Sequence, residues 1–539
     1  MNMPVGKSMS PAHVCRDNKE RIAMTISLSL PQRLKQSAQL YSSKPAFCGG
    51  GRSLLYEEFA RAAGRIAAGL AERGLKKGDR VGLYCVNSSS FALAYFGILK
   101  AGCAVVPINL LLNPKEAAFI LNDAGAAAIV YHEAFAPALP LIRESCPSIG
   151  FAVCIGTRKA AEADLPFNEL LESQAPEPDI SFQPEEDLAV ILYTSGTTGR
   201  PKGAMLTHRN LISDADSVIE ALKLAPGTET FLVVLPMFHA FAATAGMIVP
   251  LLSGSAIAPV PKFDPVQVAD AIAATRATIF LGVPSMYNLF LRMPVENVPK
   301  LASLKFCVSG GAALPVEIMA RFEEVFGKKI YEGDGPTECS PVTCVNPIGG
   351  RRKPGSVGLA IPGVQMRISD ESGRELPHGQ VGEICVRGPN VMKGYWNLPG
   401  ETREAFFGDW FRTGDLGTED DERYFCIVDR KKDMIIVNGM NVYPRIVEEL
   451  LYKFEPVCEC AVVGEPHELH GEIPVAYVAL KKGRTATEAE IRAYCRESLG
   501  KHEVPRKVYF MAELPKNAAG KIVKRALRKH GEAERGIRG

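Results

Sequence analysis

From Asp79 to Tyr331, short apolar runs alternate with longer amphipathic ones. "DRVGLYCV" and "CAVVPI" predict strands. "SSFALAYFGILKAG", ending at Gly102, and "NPKEAAFILNDAG" predict helices. The same rhythm returns in "TFLVVLP", "SAIAPV", "ATIFLG" and "LKFCVSG", with helical segments between them. Uniformly apolar short runs alternating with helices predict a parallel sheet covered on both faces. After Pro354 the pattern changes. "VQMRISDESGRELPHGQVGEICVRG" gives two strand-like runs around a Glu-Ser-Gly turn, which predicts a β-rich subdomain. From about Asp433 a smaller α+β unit follows. Its helices are "PRIVEELLYKF", with Pro444 at the start, and "TEAEIRAYCRESLG", with a glycine end. Its strands are "CAVVGEP" and "PVAYVALKKG".

Composition narrows the class. A chain of 539 residues predicts two or more domains. It is 47% hydrophobic and 23% charged with a net charge of +2, so it makes no case for nucleic acid or an anionic membrane as the main partner. The 14 cysteines are scattered without a C-x-x-C pair. With no secretory signal, they predict reduced thiols in a cytoplasmic protein. Residues 1–24 are mixed polar and predict a disordered leader, with Met24 as an alternative start. No run of about 18 apolar residues occurs, so no transmembrane segment is predicted. Peripheral membrane contact stays open, as does the choice between monomer and homodimer.

The clearest chemical signal is "ILYTSGTTGRPKGAMLTH", residues 191 to 208. An apolar strand runs into Thr194, Ser195, Gly196, Thr197, Thr198 and Gly199, then Lys202. Glycines let backbone N–H groups converge on an anion, hydroxyls add donors, and the lysine adds charge. Such a loop suits a triphosphate. It is not the Walker form, because Lys202 follows a proline and precedes Gly203.

The loop resembles the signature of the AMP-forming adenylating enzymes: acyl-CoA synthetases, luciferases and peptide-synthetase adenylation domains. "LPMFHAF", "SGGAAL", "GDGPTE", "WFRTGD", "VDRKKD" and "PKNAAGK" follow in the family's order, so the resemblance covers about Thr25 to Lys524. It implies an α/β fold: a large N-terminal domain of parallel αβαβα-type sheets over 25–431, with the β-rich subdomain at about 354–431. A small mobile α+β C-terminal domain follows over 432–539, with its hinge near Lys432. It also implies two half-reactions. A carboxylic acid attacks the α-phosphate of ATP, giving acyl-AMP and pyrophosphate; a thiol, usually that of coenzyme A, then takes the acyl group.

The resemblance singles out Lys521, in a basic stretch that otherwise reads as a solvated face, as the lysine bridging substrate carboxylate and α-phosphate. Glu338 would hold Mg²⁺, with Thr194 a second metal candidate, and Thr337 would contact the α-phosphate. Asp415 would accept the ribose hydroxyls, and Arg430 would reach ribose or phosphate. Gly310, Gly311 and Ala312 would form a flat wall against adenine. Glu332, Gly333, Asp334 and Gly335 would complete the nucleotide pocket. His239, among apolar residues, is either a satisfied core histidine or a catalytic group at the mouth of the acyl pocket. Val437, Asn438, Gly439, Met440 and Asn441 would line the thiol's route after rotation at Lys432. His467 and His470 lack further nearby ligands for zinc.

Asp334 departs from the family, which usually has an aromatic there, stacking on adenine. It could accept from the adenine amino group, or turn away as Gly-Asp-Gly turn chemistry. The apolar stretches "AFAATAG" and "VPSMYNLFL" suit an acyl tunnel, and the chain looks most like fatty acid–CoA ligases. An aryl or alicyclic acid competes, as does loading of a separate carrier protein. Only 18 residues follow Lys521, so no carrier domain of its own is expected.

Overall fold

The alternating region builds two sheets rather than one. In a nine-stranded sheet, Ala256–Pro259, Thr230–Val233, Ile279–Gly282, Phe306–Ser309 and Ile330–Asp334 lie side by side and parallel. An eight-stranded sheet holds Arg80–Tyr84, Ala104–Pro107 and Leu188–Ser195, also parallel. The computed structural model describes residues 28–195, 200–517 and 520–530. The expected leader and the loop residues Gly196, Thr197, Thr198 and Gly199 lie outside these.

The helix Ser89–Lys100 is buried from Phe91 to Leu99 without interruption. That explains its sequence, which is apolar all round, as a helix with no solvent face must be. One apolar core contains Phe91 and Phe96 of this helix, Val81 and Val105 of one sheet, and Phe231 and Ile279 of the other. Among the described residues no helix is long and apolar enough to cross a membrane.

The β-rich unit is an antiparallel sheet that includes Gln365–Ser369, Gly382–Arg387, Trp410–Glu419 and Phe425–Arg430. The C-terminal unit has its own five-stranded sheet and a separate core around Val437, Val447, Val462, Val478 and Ile491. Its helix Glu488–Ser498 starts at Thr487, whose hydroxyl accepts from the Glu490 N–H and whose N–H is bonded by the Glu490 carboxylate. This reciprocal cap satisfies two end donors locally, so the helix start is written into the sequence.

One acid lies inside this frame. Glu332 is 1% exposed, and its Oε1 accepts the Leu314 N–H at 2.9 Å while Oε2 has no hydrogen-bond partner. Burial pushes its carboxyl up from 4.5 to about 7, against the pull of Arg445. A carboxyl that binds its proton more tightly when folded makes the fold less stable as the unfolded state ionises. Stability therefore falls as pH rises from about 4.5 to about 7 and stays lowered above that. Glu332→Gln keeps the acceptor for Leu314 but cannot ionise. Its unfolding free energy, followed by calorimetry from pH 5 to 8, should gain on the parent as pH rises, by on the order of 2–3 kcal/mol in all. Parallel curves would show that Glu332 is not held protonated.

Candidate active site

Four neighbouring parallel strands end at one place. After Thr230–Val233 come Leu235, Pro236 and His239; after Ile279–Gly282 comes Val283; after Phe306–Ser309 come Gly310 and Gly311; and Ile330–Asp334 ends on Asp334 itself. Carboxyl ends of parallel strands are where such sheets open a crevice. Leu235, Pro236, His239, Phe241, Val283 and Gly311 line one here, and Asn517 and Lys521 of the C-terminal unit complete it.

Lys521 arrives on a tight loop. Asn517 Oδ1 accepts the Lys521 N–H at 2.9 Å, and the Asn517 carbonyl accepts the Gly520 N–H at 2.9 Å. The Ser285 hydroxyl donates to the Gly520 carbonyl at 2.9 Å, fastening the loop to the large unit. Gly520 has φ +78°, and a Cβ there would lie 2.9 Å from Ser285 Oγ and 3.1 Å from Val283 Cγ2. Both the backbone conformation and the close approach require glycine.

Around Lys521 stand two carboxylates and an arginine. Arg430 Nε meets Asp415 Oδ1 at 2.6 Å, and its second fork nitrogen reaches Oδ2 at 3.3 Å. The two are register partners on adjacent antiparallel strands. Burial and Arg430 push the Lys521 ammonium below its ordinary value, with Asp415 and Asp334 pulling it back. Burial and the nearby Asp415 raise Asp334 to about 6, against Arg430 and Lys521. Burial and then Lys521 lower His239 to about 4. His239 and Lys521 both expose surface, but that surface lines the crevice, so protein surrounds both. Of the two readings of His239, the structure supports a crevice residue, not a core one.

A second wall stands beside this cluster. Thr194 lies opposite Lys202 in the antiparallel pairing of Leu188–Ser195 with Pro201–Thr207. Lys202 Nζ sits 5.3 Å from the Tyr395 ring centroid, and the Tyr395 hydroxyl donates to Glu338 Oε1 at 2.8 Å. Thr337 and Glu338 open the short turn Thr337–Cys339. Glu338 is also within electrostatic reach of Arg430. Among the described residues no group of three or more His, Cys, Asp or Glu side chains could hold a metal unaided.

One expectation fails. Glu332 offers no surface to a pocket: it is buried, and its carboxylate accepts the Leu314 N–H. Asn438, Gly439, Met440 and Asn441 form an exposed hairpin turn of the C-terminal unit, with Asn438 bonded to His470, while Val437 is buried in that unit's core. Lys432 is exposed in the turn 431–433. Tyr395, Phe241 and Asn517 escape sequence reasoning: Tyr395 meets Glu338 from 57 residues away, while Phe241 and Asn517 lie next to His239 and Lys521 in the chain but carry no chemical signal of their own. A larger open hollow lies on the β-rich unit. Arg367 and Arg387 cover its Trp410 at 4.2 and 4.5 Å, and it shares no residue with the crevice.

Known proteins match this chain over most of its length. The AMP-binding enzyme family matches residues 34–396, and the AMP-binding enzyme C-terminal domain matches 446–521. A long-chain-fatty-acid–CoA ligase of Bacillus subtilis (strain 168) is 38% identical over 530 residues, covering 93% of this chain and 94% of its own. The crystal structure of the anthranilate CoA ligase AuaEII with anthranoyl-AMP superposes with a TM-score of 0.87 at 29% identity, covering 94% of this chain and 97% of its own. ATP-bound MatB from Rhodopseudomonas palustris gives 0.85 at 32% identity, over 93% and 99%. This chain therefore belongs to the AMP-binding enzyme family and is an AMP-forming acid–thiol ligase, an acyl-CoA ligase.

Proposed function

We propose that the acid is a fatty acid, activated with ATP to acyl-AMP and then passed to coenzyme A. The observation that carries this is the crevice itself: a lysine and a neutral histidine that both line it, beside walls made by Leu235, Pro236, Phe241 and Val283. A carboxylate fits the polar head and an apolar chain fits the walls. The Bacillus subtilis ligase supports the same acid class. An aryl acid is the second reading, favoured by Phe241, whose ring would lie 3.2 Å from a Cβ on Gly310, and by the anthranilate ligase.

Adenylation gathers two anions, so the work of the site is positioning and charge compensation. Lys521 bridges the substrate carboxylate and the α-phosphate. Lys202, the loop 194–199 and Thr337 hold the phosphates. His239, with its pKa near 4, stays neutral at pH 7. Its Nδ1 accepts the Phe241 N–H at 3.4 Å, which leaves the ring proton on Nε2 as a donor for the acid. Asp415, fixed by Arg430, accepts from the ribose. Glu338 is the carboxylate that would hold Mg²⁺, with Thr194 beside it. One carboxylate suits an ion that takes its remaining ligands from phosphate and water. The ion would neutralise phosphate charge when bound.

The CoA step needs a rearrangement. Lys521 lines the crevice while residues 438–441 are exposed on the same unit, so we assign the turn at Lys432 as the pivot that exchanges them. The Lys432 N–H takes no part in the bonds of that turn, which run from Asp433 and Met434 to the Arg430 carbonyl.

Lys521→Ala should slow adenylation about 10²- to 10³-fold while thioester formation from supplied acyl-AMP survives; equal loss in both assays would remove its role. Lys432→Pro should slow transfer to coenzyme A more than pyrophosphate release, and the reverse order would move the pivot elsewhere. A panel of fatty, aryl and alicyclic acids, assayed for AMP release with and without coenzyme A, decides the substrate. Preference for benzoate-like acids would favour the second reading, and AMP release indifferent to coenzyme A would point to carrier loading.

A further inference from the structure

Two irregular points of the C-terminal unit meet one helix of the large unit. The first is a bulge. In the strand Val457–His467, Val457 pairs with Leu480 and Glu459 with Ala479, so Cys458 is an extra residue with no cross-strand partner in that register. A bulge leaves its extra residue outside the ladder and bends the strand. Here the Cys458 carbonyl accepts from Asn288 Nδ2 at 3.0 Å. The second point is Gly520. Its backbone is left-handed, and its carbonyl accepts the Ser285 hydroxyl at 2.9 Å.

Ser285 and Asn288 stand three residues apart on the helix Pro284–Phe290, so they share a face. The rest of that helix is anchored in the large unit. Tyr287 and Phe290 are buried, and the Tyr287 hydroxyl donates to the Val308 carbonyl at 2.7 Å. Both donors therefore rise from a fixed element. Neither Ser285 nor Asn288 lines the crevice. Both acceptors are backbone carbonyls, far apart in the chain but in one unit. One bond alone would let that unit swivel; a second, on a separate segment, removes that freedom. Gly520 is also the immediate neighbour of Lys521, so what the pair fixes is the seat of the lysine.

We infer that Ser285 and Asn288 are positioning residues, a two-point latch that holds the C-terminal unit in the pose for adenylation and must open before coenzyme A is served. The inference rests on the exchange of poses about Lys432. Each bond joins two neutral groups, and such a bond shifts an equilibrium by about 2- to 10-fold. That is enough to bias one pose and too little to trap it. An ion pair closed in the same place would resist opening more, because its charges would have to be parted within the protein. The bulge at Cys458 then has a use in the reaction: it turns a carbonyl out of the sheet for the other unit to hold.

The two half-reactions test it in the full chain, with the preferred acid of the panel above and its pre-made adenylate. Ser285→Ala and Asn288→Ala should each slow pyrophosphate release by about 2- to 10-fold. Transfer from the adenylate to coenzyme A should stay as fast as in the parent or become faster. Together they should lower the ratio of the two rates by roughly the product of the single effects. Asn288→Asp turns a carboxylate toward the Cys458 carbonyl and should lower the ratio further than Asn288→Ala. Ser285→Thr keeps the hydroxyl and should bring the ratio back toward the parent's. These two variants carry the test where an alanine variant does not fold. Equal slowing of both half-reactions, or a ratio that does not move, would overturn the latch. If Lys521→Ala also slows both half-reactions alike, the exchange of poses itself fails, a result separate from loss of the latch alone.

Discussion

The placement of one cation governs this molecule. Lys521 must reach the crevice from a unit with its own core, and its ammonium must lose water to do so. Such burial is unfavourable unless opposite charge is already in place. Here two cations, Lys521 and Arg430, face two carboxylates, Asp334 and Asp415. The cluster is balanced before any phosphate arrives. An incoming nucleotide adds negative charge, and we assign the second wall, with Lys202, to meet it.

That balance depends on the sheets beneath it. Four parallel strands deliver His239, Val283, Gly311 and Asp334 to one rim, while the antiparallel pair Trp410–Glu419 and Phe425–Arg430 sets Asp415 against Arg430 by register alone. A slip of one residue there would turn both side chains to the other face. Glu332 supports the rim from inside by holding the Leu314 N–H, at the cost of a buried carboxyl. The loop carrying Lys521 adds the last wall, and Ser285 and the missing side chain of Gly520 allow it to seat. Stability of the large unit and readiness of the crevice are thus properties of the same contacts.

Much of the local structure is legible in the chain. Uniformly apolar runs such as "ATIFLG" mark strands buried on both faces, and Thr487 with Glu490 writes a helix start. Such signals are local, so they survive without knowledge of the fold. The division of the alternating strands into two sheets is not local. Each run is equally apolar, and pairing partners lie tens of residues away, so the pattern is compatible with one sheet or two.

The same distinction holds at the site. Residue type and spacing mark the hydroxyl loop with Lys202 as a phosphate cradle, while Glu338, Asp415, Arg430 and Lys521 are singled out only by resemblance to the family's motifs. Neither signal can tell Glu332 from Asp334, two acids two residues apart in one stretch. Tertiary structure separates them: Leu314 caps the first in the interior, while the second, at the end of its strand, feels the charges of Asp415, Arg430 and Lys521. It also brings in Tyr395, 57 residues from the Glu338 it bonds, and makes His239 a crevice residue by setting Lys521 against it. Chemistry of single residues is fixed by composition and order. Their protonation, partners and orientation arise from electrostatics and burial, which exist only once distant segments share a low-dielectric space.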